Sequence, residues 1–370
     1  MGNKVIFFTE YVGLGGGETS LVNLCRRLSK EMEVEIITNS EGDLNRNLSS
    51  FELENSSIPY KKLIKRGQFV SLLLQLSKKI KHNAKVVILN SKSCLYLIPL
   101  IKLVSNCPIF YIEHSNWTNY TLIEKILLKN FVNEILVVSD PVSQKVKKQI
   151  GSIKTFNKIK DFPLMISMSG NQQKKRINAN SPKIVAMIGR YQEIKGHSLF
   201  VDIAREVCET NDNVEFWIIG GKPFGTEEEI KYEKTVLNKI ELSKYNKRIK
   251  VLGERKDVEL LLKNSIDVLV VPSINESFGM VVLEASKYGV PTVTSNSCEG
   301  PSEILQNLNA KELIVEREIK AFKHKIIDLL TNHTYYSLIS EKLQMNIPKY
   351  DLDGKNFILV KLINSYENEV

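Results

Sequence analysis

A chain of 370 residues is longer than one typical domain, and its 43% hydrophobic and 25% charged composition excludes a disordered, fibrous or low-complexity protein. Its formal charge of +9 is uneven: residues 1–180 hold 26 basic and 14 acidic side chains (+12), and residues 181–370 hold 25 and 28 (−3). An anionic surface or partner is therefore expected for the first half. Five cysteines without a Cys-x-x-Cys pair, no apolar leader, and no run approaching ~18 apolar residues predict reduced thiols, a cytoplasmic location and no spanning helix.

In chain order, residues 4–9 read as a buried strand, followed by a glycine loop from Gly13 to Glu18. Residues 19–32 then form a helix carrying Leu21, Leu24, Cys25 and Leu28 on one face, and 33–38 a second strand. This order predicts a parallel α/β domain. The glycine loop is not a P-loop, because no Gly-Lys-Ser/Thr follows, nor a dinucleotide fingerprint, because Glu18 stands where the third glycine belongs. An ordinary strand-to-helix turn remains an equal reading.

Residues 61–85 hold Lys61, Lys62, Lys65, Arg66, Lys78, Lys79, Lys81 and Lys85 around an apolar core. Two readings fit: a basic amphipathic helix on a membrane surface, or a solvated helix packing Leu72, Leu73 and Leu76 on a sheet. Strands are expected at 86–90, 109–113 and 135–139. His114 directly follows the second of these, where an α/β sheet binds ligands. Residues 151–181, poor in apolar pattern, read as a connector.

A second alternating series opens at Lys183: a strand, a loop from Gly189 through Arg190 and Lys195 to Gly196, a helix over 197–209, strands at 216–219 and 249–252, with helices over 226–242 and 257–263. Val268 to Val271 is a buried strand ended by Pro272 and Ser273. A helical pattern over 278–288 follows, closed by Gly289 and Pro291, then a strand over 291–295. Ser277, Phe278 and Gly279 head this helix, whose free N–H groups suit a phosphate. Glu276 lies just outside it and Glu284 about 8 Å further along its axis. Carboxylates beside an anion site make sense for an anion that also carries hydroxyls. Further helices are expected over 319–331, 335–345 and 354–368. Asp351-Leu352-Asp353 reads as a polar turn, and no His/Cys cluster has metal-ligand spacing.

Gly189-Arg190 with Lys195-Gly196, followed some eighty residues later by Pro272-Ser273 and Glu276-Ser277-Phe278-Gly279 with Glu284, together with Gly15-Gly16-x-Glu18 and Glu113-His114, resembles the retaining glycosyltransferase family 4 over essentially the whole chain. The resemblance implies the GT-B fold: two Rossmann-like, doubly wound α/β domains facing a cleft, with the C-terminal helix returning to the first. That predicts an acceptor-side domain over 1–170 plus about 350–370, and a donor-binding domain over 181–345.

The resemblance also implies roles. Arg190 and Lys195 would bind the donor diphosphate and neutralise it on departure without a metal. Gly189 would shape their loop. Ser277, Phe278 and Gly279 would line the phosphate site, the last two through backbone N–H groups. Glu284 would take the ribose hydroxyls and Glu276 the hydroxyls of the transferred sugar. Gly16 would approach the donor from the first domain, and His114 would stand near the reacting carbon on the acceptor side. His114, Arg190, Lys195 and Glu276 are thus the expected catalytic residues.

The expected activity is transfer of a hexose-type sugar, with retention, from a nucleotide diphosphate sugar (UDP favoured, GDP next) to a lipid-linked or anionic cell-surface glycan intermediate. No cofactor, no metal and no nucleic-acid partner are expected, and peripheral attachment to an anionic membrane is. The alternatives are a soluble acceptor, a catalytically silent GT-B partner subunit, or an NAD oxidoreductase, whose fingerprint the Gly13–Glu18 loop does not satisfy.

Overall fold

The computed structural model describes residues 3–10, 13, 16–151, 153–170, 172, 181–222, 225–354 and 357–366. The chain divides into two units: Met1–Ser167 with Asp351–Val370, and Met168–Tyr350. The first holds seven strands, β1 (Lys4–Thr9), β2 (Glu33–Thr38), β3 (Glu54–Ser57), β4 (Ala84–Leu89), β5 (Ile109–Glu113), β6 (Glu134–Val137) and β7 (Ile159–Asp161). They form one parallel sheet in the order β3-β2-β1-β4-β5-β6-β7. Val5, Ile6, Phe7 and Phe8 are fully buried, because helices cover both faces; this is why the strand reads as an unbroken apolar run rather than an alternating one.

Right-handed crossovers decide which helix covers which face. The chain steps from β1 to β2 to β3 in one direction, which puts helices Gly16–Leu28 and Asp43–Ser50 on one side. It then crosses back to β4 and runs the other way, which puts Phe69–Ile80, Ile98–Val104 and Leu122–Asn130 on the opposite side. The C-terminal segment returns to this unit. Tyr366 packs edge-on against Phe110 at 5.5 Å and donates to Glu134, and Lys85 Nζ donates to Asn364 at 2.9 Å.

The second unit holds β8 (Lys183–Ile188), β9 (Val214–Ile219), β10 (Ile249–Gly253), β11 (Val268–Val271), β12 (Thr292–Ser295) and β13 (Ile314–Val315), in the order β10-β9-β8-β11-β12-β13. Renumbered from its own first strand, this is the order of the first six strands of the first unit. Both units are doubly wound α/β, and each has one place where the chain reverses its direction of travel across the sheet: between β1 and β4, and between β8 and β11. Ligands of open α/β sheets sit at the carboxyl ends of the strands at such points.

Several boundaries differ from those expected. The basic stretch 61–85 is two helices, Tyr60–Lys65 and Phe69–Ile80, broken at Gly67, whose φ of 66° ends the first. The expected connector is structured through much of its length: Ile153–Phe156 is a helical turn, β7 extends the sheet, and Phe162, Leu164, Met165 and Ile166 are buried. Its remainder, 173–180, lies outside the described residues, as does Gly15. The edge strand β3 reads Glu-Asn-Ser-Ser and carries no apolar signal. Among the described residues the last helix covers Leu359–Ser365 of the expected 354–368, of which 355, 356, 367 and 368 lie outside them. Asp351 to Asp353 form a turn whose Asp353 pairs with Lys30 at 2.7 Å and with Arg27 at 3.3 Å.

Candidate functional site

The loops after β8 and β11 meet at the reversal point of the second sheet, and they carry most of the expected site residues. The first runs from Gly189 to Gly196, and the aliphatic stem of Lys195 lies 3.9 Å from where a Gly189 side chain would begin. Gly196 holds φ 78°, and a Cβ there would overlap the Pro272 carbonyl, so only glycine lets this loop rest on the end of β11. Ile274 N donates to Ile194 O at 2.8 Å, tying the second loop to the first.

This contact brings the charged groups together. Lys195 Nζ forms an ion pair with Glu276, with both side chains partly shielded from water. The sequence separates these residues by eighty-one positions; the fold makes them partners. Arg190, half-buried, follows Gly189 on the same loop.

Beyond Glu276 the backbone is tightly constrained. Gly279, at φ 101°, caps helix Met280–Lys287, which therefore starts two residues later than expected. A Cβ on Gly279 would stand 2.8 Å from Pro301 Cγ. Gly300 presses on the same strip: a Cβ there would stand 2.5 Å from Phe278 N, and its own N–H donates to Glu276 O at 3.0 Å. The Phe278 ring is buried edge-on to Tyr350 at 6.3 Å, which anchors this strip in the core. Ser277 is buried beside it.

Glu284 projects from the first turns of Met280–Lys287. Its carboxyl is half-buried and makes no hydrogen bond or ion pair among the described residues. Burial, reinforced by the negative charge of Glu259, pushes it up to about 7, against the pull of Lys287. Lys287 itself is engaged by Glu259 at 2.7 Å. A carboxylate placed in the fold without a partner is costly unless a ligand supplies donors.

The first unit has its own cluster at the carboxyl edge of β4 and β5. His114 Nε2 lies 2.9 Å from Asn90 Oδ1. With the proton on Nε2, facing the amide oxygen, Nδ1 is left as an acceptor. Burial pushes the imidazole down to about 4, so it is neutral near pH 7. Glu113, one residue earlier, is buried and accepts from Tyr111 Oη at 2.8 Å, Ser115 N at 2.9 Å, Thr118 Oγ1 at 3.2 Å and the Tyr120 hydroxyl. Four donors on one carboxylate hold the loop that carries His114. His114 and Asn90 line a small recess together with Ser20, Ile112, Leu164 and Phe357. Gly16, exposed, opens the helix that follows β1.

Sequence reasoning missed four neighbours of these residues. Asn90 follows β4 at the reversal point, a position visible only once the strand order is known. Gly300 precedes Pro301 at the head of helix Glu299–Asn307, and that Gly-Pro step was its only local signal. Arg317 follows β13 and reaches Pro272 O at 3.4 Å, giving the site a third cation from a distant strand. His197, fully buried, stacks on Tyr191 at 4.6 Å and meets the edge of Tyr232 at 5.9 Å, forming the floor beneath the first loop.

Comparisons with known proteins agree with this division. A family model described as glycosyl transferases group 1 matches residues 169–346, and one described as glycosyltransferase family 4 matches residues 14–155. An uncharacterized 41.2 kDa protein in the cps region of Klebsiella pneumoniae is 26% identical over 293 residues, 72% of this chain and 74% of that protein. The UDP-Gal:alpha-D-GlcNAc-diphosphoundecaprenol alpha-1,3-galactosyltransferase of Escherichia coli is 29% identical over 149 residues, 40% of this chain and 33% of that enzyme. The crystal structure of Anabaena Alr3699/HepE in complex with UDP and glucose superposes with a TM-score of 0.79 at 17% identity, covering 99% of this chain and 98% of that one.

Proposed function

Since the chain belongs to the family 4 glycosyltransferases and has the GT-B fold, we propose that it moves a hexose-type sugar, with retention and without a metal, from a UDP-sugar to a lipid-linked or anionic cell-surface glycan intermediate. The observation that carries the donor half is the arrangement on the loop and helix after β11: a glutamate paired with Lys195 of the β8 loop, followed on the helix by a half-buried glutamate with no partner among the described residues.

The chemistry follows from the charges. The donor's diphosphate settles against Arg190 and Lys195 and draws Lys195 away from Glu276. Glu276 is then released to accept from hydroxyls of the sugar. Glu284 ionises and accepts from the two ribose hydroxyls. As the anomeric C–O bond breaks, charge moves onto the diphosphate, where fixed cations stabilise it more than in the ground state. The acceptor oxygen attacks from the face the diphosphate leaves, and its proton passes to a leaving phosphate oxygen, so the anomeric configuration is kept. No pair of carboxylates acting as acid and nucleophile is needed. Neutral His114 contributes a hydrogen bond at the acceptor side rather than a charge.

The acceptor class rests on the diphosphoundecaprenol-linked acceptor in the name of the Escherichia coli relative and on the basic first unit. The test is turnover in EDTA with UDP-, GDP- and ADP-sugars against a sugar-diphosphate-lipid acceptor and free sugars, with the linkage read by NMR. The expected result is a product of retained configuration from a UDP-sugar on the lipid-linked acceptor. An inverted linkage, or turnover abolished by EDTA and restored by a divalent ion, would contradict the mechanism.

A further inference from the structure

The face of the first unit opposite helix Gly16–Leu28 has a character that sugar transfer does not require. Between Glu54 and Glu113 the chain carries ten basic residues and no acidic one. This stretch builds helices Tyr60–Lys65, Phe69–Ile80 and Ile98–Val104, all on the same side of the sheet. On Phe69–Ile80 the inward stripe of Leu72, Leu76 and Ile80 is fully buried. Phe69 begins the same stripe and is exposed at the helix start, while the outward side exposes Val70 and Leu74, with Val70 73% accessible. Helix Leu122–Asn130 repeats the pattern: Leu127 and Leu128 are buried, while Leu122, Ile123 and Ile126 are exposed, Leu122 by 75%.

Each crossover helix begins near the carboxyl edge of the sheet, so Phe69 and Val70, at the start of one helix, and Leu122 and Ile123, at the start of another, belong to the same end of this helical layer. Exposed Tyr96 and Trp117 come from the loops after β4 and β5 at that edge. Tyr96 Oη donates to Glu124 at 3.0 Å and Lys92 Nζ to Asn119 O at 2.7 Å, linking these segments. Exposed Lys62, Lys65 and Arg66 immediately precede Phe69, and Lys78 and Lys81 follow it.

We propose that this face seats on an anionic lipid surface, with Phe69, Val70, Leu74, Leu122 and Ile123 entering the interface and the lysines contacting headgroups. Charge complementarity selects this occupant. Exposed apolar residues ringed by lysines match an anionic interface, whereas two copies of so basic a face repel each other. Among the described residues no helix is long and apolar enough to cross a membrane, so the seat is peripheral. His114 follows β5 at the same edge, which would bring a lipid-linked acceptor to it without leaving the interface; this last point rests on the proposed transfer, the seat itself does not.

The test is flotation of the full chain with vesicles of phosphatidylcholine alone or with about a third phosphatidylglycerol, at low and high salt. The expected result is at least about tenfold more protein on anionic vesicles, since each lysine near such a surface multiplies binding several-fold. The F69S/V70S/L74S variant should lose most of this binding, and K62E/K65E/R66E should lose its salt sensitivity. Calorimetric melting of the first unit in the same samples reports its folding, and UDP binding tests the donor site of the second unit separately. No flotation on any vesicle, equal flotation on neutral ones, or a dimer in sedimentation that F69S/V70S/L74S dissolves would each overturn the proposal.

Discussion

Glu276 and Glu284 are the same residue type eight positions apart, and their surroundings give them different work. Glu276 is held by Lys195, and in the proposed mechanism a diphosphate competing for that lysine frees it. Glu276→Gln should therefore lower kcat by a factor of ten or more with a sugar donor yet leave UDP affinity equal or tighter, because Lys195 loses its competitor; steady-state kinetics and a UDP titration check this. Glu284 has no such partner among the described residues, and burial pushes its carboxyl up to about 7. In the proposed role ribose hydroxyls donate to the ionised form, so binding would expel a proton at lower pH. UDP affinity should be level above about pH 7 and fall by up to tenfold per unit below it. Glu284→Gln should flatten that profile. Glu284→Ala should weaken UDP by about 2–3 kcal/mol, roughly 30- to 150-fold, the usual loss for hydrogen bonds to a charged group.

At the scale of elements, the site depends on backbone that only glycine allows. Gly279 at φ 101° lets the β11 loop turn into its helix, and Gly300 lets the next helix press against Phe278. Gly279→Ala should cost on the order of 1–3 kcal/mol, a fall of about 2–10 °C in the melting of the second unit. Gly300→Ala pushes on the Phe278 backbone and should weaken UDP more than it lowers melting; differential calorimetry with and without UDP separates the two. Much of this was legible. The β8 and β11 loops announced themselves because buried parallel strands read as apolar runs and their ends carry Gly, Pro and Ser. Polar β3 was invisible because Glu-Asn-Ser-Ser carries no apolar signal at the edge of a sheet. Asn90 and Arg317 were invisible for another reason: their proximity to the site comes from strand order, which local patterns do not encode.

Over the whole molecule, two sheets of one strand order divide the labour, although nothing in the sequence repeats visibly. The second unit gathers the cations and carboxylates of the proposed donor site, and the first carries neutral His114, the recess beside it and a basic, apolar-studded face. Each unit has its own core, so calorimetry should resolve how a nucleotide acts on them. UDP at about a hundred times its dissociation constant should stabilise the second unit by about 2.7 kcal/mol. The most direct measurement is a calorimetric titration of UDP, in EDTA, into the wild-type protein and into Lys195→Ala and Glu284→Ala. Metal-independent binding that both substitutions weaken at least tenfold, with folding intact, is the predicted result. No binding of UDP, GDP or ADP by the wild type, or binding that neither substitution changes, would contradict the donor site at the β8/β11 reversal.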